Sequence, residues 1–154
     1  MKCYTINPIT VPETGKKVTE GDRREWAYCH HHMVNRTSHD CGAYDKDSDC
    51  NIGDLHVSVK AAKFSLMSGS KCKDCTTFDE IWERFASTVH SNVFAYITID
   101  YVVYEMNLAE FKEFIYNFCG LTRESKSNGG YAKIKARSES KALLNWLATR
   151  AVAA

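Results

Sequence analysis

Apolar and polar residues alternate strictly over Leu55-His56-Val57-Ser58-Val59-Lys60-Ala61. This pattern predicts a half-buried strand, because successive side chains leave a strand on opposite faces. Just before it, Asp49-Cys50-Asn51-Ile52 runs into Gly53-Asp54. Glycine at the first position of a two-residue loop suits a type II′ turn, so the two runs are predicted to pair as a hairpin. That turn sets Ile52 opposite Leu55, Asn51 opposite His56, Cys50 opposite Val57 and Asp49 opposite Ser58. Opposed residues share a sheet face. One face then carries Cys50, Ile52, Leu55, Val57 and Val59, and the other carries Asp47, Asp49, Asn51, His56, Ser58 and Lys60. The register sorts apolar from polar on both strands at once.

The flanking pattern supplies the other elements. Residues 1–19 hold both prolines and little periodicity, and predict an irregular lead-in with room for one short strand. Trp26, Cys29 and Met33 recur at helical spacing after Asp22, an expected N-cap, which predicts a helix over about 22–35. Residues 63–77 read as a loop. Phe78 to Val89 reads as a helix with Ile81, Trp82, Phe85 and Val89 inward. Val93–Ile99 and Tyr101–Met106 are β-branched and aromatic, hence strands, with Asp100 at a turn or bulge. Asn107 caps a helix over 108–119 that Gly120 ends. Ser127-Asn128-Gly129-Gly130 is a loop, Tyr131–Arg137 a strand, and Ser138 starts a last helix over about 138–150, with Ala151–Ala154 frayed. The order predicts one α/β (α+β) domain spanning 1–154, with a mixed sheet flanked by helices.

Composition changes this picture little. The 154 residues are 44% hydrophobic and 25% charged, ordinary values for one globular domain. No apolar run reaches the length of a membrane span, and the opening residues lack the apolar core of a secretory signal, so a cytoplasmic protein without a membrane partner is expected. Seven scattered cysteines suit a reducing compartment better than a disulfide framework. Cys29, Cys50 and Cys119 are expected as small core hydrophobes. The net charge of +1 is neutral on nucleic-acid binding, but Arg123, Lys126, Lys133, Lys135, Arg137 and Lys141 cluster along the chain.

The polar hairpin face carries the candidate chemistry. Phosphodiester hydrolysis needs a group to grip the phosphate and a water to be deprotonated. Mg²⁺ held by one or two carboxylates serves much of this, and a nearby lysine can assist the water. Asp49, Ser58 and Lys60 lie on that face, and Glu25 lies on the preceding helix. Asp47 is the second choice for the acid, Asp45 is nearby, and Asp54 is read as a turn residue.

On these residues the chain resembles the PD-(D/E)XK, or restriction-endonuclease-like, nucleases over roughly residues 20–137. That family's core is helix, three strands, helix, strand. It places a Glu on the first helix, an Asp on the first hairpin strand and an acid-X-Lys triplet on the second. The matching positions are Glu25, Asp49 and Ser58-Val59-Lys60. The resemblance implies a Mg²⁺- or Mn²⁺-dependent endonuclease, with DNA as the expected substrate, in a phage, mobile-element or restriction setting. Glu25, Asp49 and the Val59 carbonyl would hold the metal, Lys60 would assist the water, and Ser58 would position it. Ser58 departs from the usual acid, which shifts the metal onto the other ligands. It also leaves room for a degenerate, non-cleaving module that binds nucleic acid or protein.

His56, Lys63 and the row Lys133-x-Lys135-x-Arg137 are the candidates for contacting phosphates, against the alternative of solvated strand faces. Tyr96, Tyr101, Tyr104 and Tyr131 could stack on bases, but read first as packing residues. Cys72-x-x-Cys75 could be half of a zinc site completed by Cys41, His39 or Cys29-His30-His31-His32, which would make a small zinc-stabilised interaction domain. A homodimer is expected if both strands of a duplex are cut.

Overall fold

The computed structural model describes residues 1–11, 15, 17–37, 48–66, 72, 74–124 and 131–154. Asp45, Asp47, His39, Cys41, Lys126 and the loop 127–130 lie outside the described residues.

Strand β1 (Lys2–Thr5) and helix α1 (Glu20–His31) lead into the hairpin of β2 (Cys50–Ile52) and β3 (Leu55–Lys60). A short β4 (Ser65–Leu66) and helix α2 (Phe78–Thr88) follow, then β5 (Val93–Ile97), β6 (Val102–Met106) and helix α3 (Leu108–Phe118). The chain ends with β7 (Cys119–Glu124), β8 (Tyr131–Ala136), helix α4 (Lys141–Arg150) and β9 (Val152–Ala153). Six strands form a mixed sheet in the order β2-β3-β5-β6-β1-β9, and three form a second, antiparallel sheet, β4-β8-β7. The fold is therefore mixed α and β, as the pattern predicts. Among the described residues no helix is long and apolar enough to cross a membrane.

The hairpin register matches the predicted one at Cys50–Val57, Asn51–His56 and Ile52–Leu55. Gly53 has φ +59 and Asp54 has no positive φ, which is the II′ pattern. On its other side β3 pairs with β5 in parallel. Parallel neighbours cannot be joined by a tight turn, so α2 has to cross over between them.

Each face of the main sheet has its own core. Odd-numbered β3 residues share a face with Ala95, Ile97 and Val103, and α1 covers it with Ala27, Tyr28 and Cys29. The other face carries Phe94, Tyr96, Tyr104 and Met106 and packs on Ile81, Trp82, Phe111, Phe114 and Ile115. Ile134 and Ala132 of the second sheet join that core. Phe94 and Phe111 stack with ring centres 4.3 Å apart and planes 2° from parallel.

Several sequence-based expectations are corrected. The family resemblance implies strand 131–137 in the hairpin's sheet; β8 pairs instead with β4 and with β7. Strand β7 begins where Gly120 was expected only to end a helix. Helix α1 is capped by Thr19, not Asp22: the Thr19 hydroxyl accepts from the Asp22 amide, and Asp22 accepts from the Thr19 amide at 3.0 Å. That capping box starts the helix earlier, and Met33 falls past its end, 91% exposed. Ser140, not Ser138, caps α4. The tail is not frayed: Val152 and Ala153 pair in parallel with β1.

Helix α1 is fastened to the sheet by a residue the periodicity did not mark. Arg24, 3% exposed, donates to the Thr98 carbonyl at 3.2 Å and to Glu20 at 2.6 Å. Its guanidinium also lies 5.1 Å from the ring centre of Tyr101, whose φ of +62 is rare for a non-glycine residue.

Replacing Phe111 with Ala removes a ring that is fully buried between α2, α3 and β5. Chemical denaturation is expected to show a loss of about 3–5 kcal/mol, the usual range for deleting a buried aromatic.

Candidate metal centre at the hairpin edge

In a strand, one residue's N–H and C=O point to the same side. In β3 the His56 carbonyl accepts from Asn92, toward β5, and the Val57 carbonyl accepts from Asp49, toward β2. Val59 therefore turns both its N–H and its C=O toward β2. The regular ladder, however, stops at Cys50–Val57. Asp49 takes the vacant position: its carboxylate Oδ2 accepts from the Val59 amide at 2.6 Å, and its own carbonyl accepts from Thr37 at 2.9 Å. One carboxylate and one backbone carbonyl are thus brought to the same stretch of strand edge, beyond the described β2 ladder.

Glu25 approaches from α1. One turn further along the helix, Cys29 packs by its thiol against Cys50, which anchors this face of α1 over the start of β2. Arg36, bridged to Cys50 through the backbone, donates to Glu25 Oε1 at 2.6 Å. It also lies 3.5 Å from Asp22 and stacks on Trp26 at 5.1 Å. Even with this cation alongside, the Glu25 carboxyl is pushed up to about 7, first by burial and then by the negative charge of Asp49. Two carboxylates therefore compete for the same partly buried corner.

The expected single face does not form. Asp49 is not opposite Ser58, because its amide bonds to Val57 and its side chain folds onto the strand edge. Ser58 is 3% exposed, beside Phe94 on the face away from α1. Lys60 leaves β3 from that same face, opposite Tyr96, with Nζ 5.7 Å from the Phe64 ring centre. Glu25, Asp49 and the Val59 peptide group are brought together, whereas the side chains of Ser58 and Lys60 start from the other side of the strand.

The expected phosphate contacts are dispersed. His56 is exposed at the hairpin, its ring Nδ1 2.8 Å from Asn51 Oδ1. Lys63, Lys135 and Arg137 are exposed and Lys133 is partly buried, on or beside the second sheet. Tyr96 and Tyr104 are buried packing residues.

Cys72 and Cys75 are buried in the core away from α1, not held in a polar loop, and burial and the neighbouring thiol push Cys72 up to about 12. The Cys29–His32 stretch lies on the opposite side of the sheet from them. Among the described residues no three His, Cys, Asp or Glu side chains gather as a metal site. Glu25 and Asp49 with the Val59 carbonyl make a different set, two carboxylates and a backbone oxygen. Such a set suits Mg²⁺, which keeps several of its own waters.

Like Arg24, Arg36 and Glu105 are polar residues that the pattern did not single out. Glu105 Oε2 accepts from the hydroxyls of Tyr4 and Tyr28 at 2.9 and 2.6 Å, and the Tyr4 hydroxyl also meets His32 at 2.8 Å. The one available signal was an acid interrupting the apolar run 102–106.

The raised Glu25 carboxyl has a consequence for stability. Between its ordinary 4.5 and about 7, the folded chain holds a proton there that the unfolded chain has released. This group's contribution is full below the lower value and is lost as pH rises through the upper one. Glu25→Gln is expected to flatten the fall in thermal midpoint across that window, as followed by circular dichroism.

No family model, no curated protein and no solved structure matches the chain.

Proposed function

We propose that the protein is a divalent-metal-dependent endonuclease that hydrolyses phosphodiester bonds, with DNA as its substrate. The observation that carries this reading is that Glu25 and Asp49 feel each other's charge beside the edge of β3. Glu25 is raised first by burial and then by the charge of Asp49, despite a bonded arginine. Two like charges that interact in a partly buried corner are unfavourable unless a proton or a cation relieves them. The residues present fit Mg²⁺ or Mn²⁺, held by Glu25, Asp49 and the Val59 carbonyl. Such an ion would neutralise phosphate charge and make its bound water acidic enough to attack.

The chain's own residues have separate tasks in this reading. Asp49 holds its position through the Val59 amide. Arg36 holds the Glu25 carboxylate by donating to Oε1. Lys60, one residue past Val59, would reach round the strand to assist the attacking water. Ser58, closed off from solvent, has no direct part. Lys63, Lys133 and Lys135 would supply sequence-independent attraction to phosphates. Cutting both strands of a duplex would call for a homodimer with two such centres.

The Arg36–Glu25 bond supports a second reading, in which an internal cation has replaced the metal and the domain binds nucleic acid without cutting it.

Incubating plasmid DNA with the protein in Mg²⁺ or Mn²⁺ tests both readings. Metal-dependent nicking is expected. It should vanish in Asp49→Ala and Glu25→Gln, and fall about 100-fold or more in Lys60→Ala, the lower range for losing a group that handles a proton. Cutting that survives the Asp49 and Glu25 changes would sink the site. DNA binding without cutting under either metal would favour the second reading. A thermal shift adds an independent check: Mn²⁺ should raise the melting temperature of the wild type and not of Asp49→Ala.

A further inference from the structure

On the far side of the sheet from the carboxylates, the Tyr96 phenol is buried with no hydrogen-bond partner, the only such side-chain polar atom among the described residues. The residue is 1% exposed. A buried hydroxyl left unpaired is unfavourable, so its persistence in the fold calls for a reason.

Tyr96 lines an open-mouthed cavity of about 460 Å³ between α3, the end of β8 and the start of α4. This lies within the size range of small-ligand sites. Phe118, only partly buried, gives one wall an aromatic ring, backed by the buried Phe114 ring with its centre 6.0 Å away. The opposite wall is electropositive. Arg137 lies across Gly120, where an added Cβ would come within 3.4 Å of Nη2. Among the described residues no carboxylate pairs with Arg137. The nearby acid, Glu139, accepts from the Ile99 amide at 2.7 Å, and its charge also reaches the Tyr96 phenol.

The first turn of α4 completes this wall. Ser140 satisfies the Leu143 amide with its hydroxyl at 3.1 Å and the Leu144 amide with its carbonyl at 3.0 Å. The amides of Lys141 and Ala142 have no acceptor within the helix, and a helix start favours an anion. Ser140 and Ala142 both line the cavity.

We propose that this cavity binds a nucleoside monophosphate. Its phosphate lies between Arg137 and the first turn of α4, its base lies against Phe118, and it takes up the orphaned Tyr96 hydroxyl. An anion alone would leave the aromatic wall bare, and an apolar molecule alone would leave the cation and the amides unused. The site does not depend on the carboxylate pair, from which it is separated by the sheet.

Isothermal titration of the full chain with adenosine monophosphate, adenosine and inorganic phosphate tests it. One molecule of the monophosphate is expected to bind per chain, with adenosine and phosphate each weaker by about ten-fold or more, as loss of a charged contact or of a stacked base implies. Arg137→Ala should weaken binding about ten-fold or more, and Tyr96→Phe about five-fold, as for one neutral hydrogen bond. Lys17→Ala and Asp49→Ala should leave it unchanged. No binding of the monophosphate to the wild type would overturn the proposal. So would inorganic phosphate binding equally well, or a loss in Lys17→Ala as large as in Arg137→Ala. Binding indifferent to both Arg137→Ala and Tyr96→Phe would overturn it as well.

Discussion

Strand β3 pairs antiparallel with β2 on one side and parallel with β5 on the other, and most of the architecture follows from that double pairing. The parallel side requires the α2 crossover. Packing that helix on the sheet builds the aromatic core around Phe94 and Phe111. Among the described residues the antiparallel side is only three residue pairs long, so β3 runs past β2 and the Val59 peptide group lies beyond that ladder. Asp49 closes half of that gap with its side chain. The candidate metal centre is thus a product of where a strand ladder stops.

Electrostatics then decides what that edge can do. Burial and the charge of Asp49 both raise Glu25, while Arg36 pulls the other way. The outcome, a carboxyl that ionises near neutrality, shows that Arg36 does not fully compensate the pair. A corner of this kind can be relieved by a proton at low pH or by a divalent cation at higher pH. The same competition makes metal affinity pH-dependent, because the ligand has to lose its proton first. Arg24 has a different part: it ties α1 to the β5–β6 turn and so fixes the height at which Glu25 meets the sheet.

Local patterns were legible in the sequence, and long-range ones were not. The hairpin register could be read because Gly53 fixes the turn and alternation fixes the faces. Helices α2 and α3 could be read from their apolar spacing, and α3 also from its cap Asn107. The second sheet was hidden because β4 has only two residues and pairs with a strand some seventy positions away. Strand β7 was hidden because it starts directly after a helix and contains Gly120, with no turn residues to announce it. At the site, Glu25 and Asp49 were picked out, but the single shared face was not realised. Alternation describes a continuous ladder, and Asp49 sits one residue beyond the end of this one. The Arg36 partner and the orphaned Tyr96 hydroxyl depend on tertiary placement alone.

Glu25 and Asp49 share one corner and feel each other's charge. Following the side-chain carboxyl carbon of Glu25 by nuclear magnetic resonance through a pH titration tests this directly. A midpoint near 7 is expected in the wild type. That midpoint should move down toward the ordinary carboxylate range in Asp49→Asn, and also when Mg²⁺ is added to the wild type. A Glu25 that titrates in the ordinary range throughout, indifferent to Asp49 and to Mg²⁺, would contradict it.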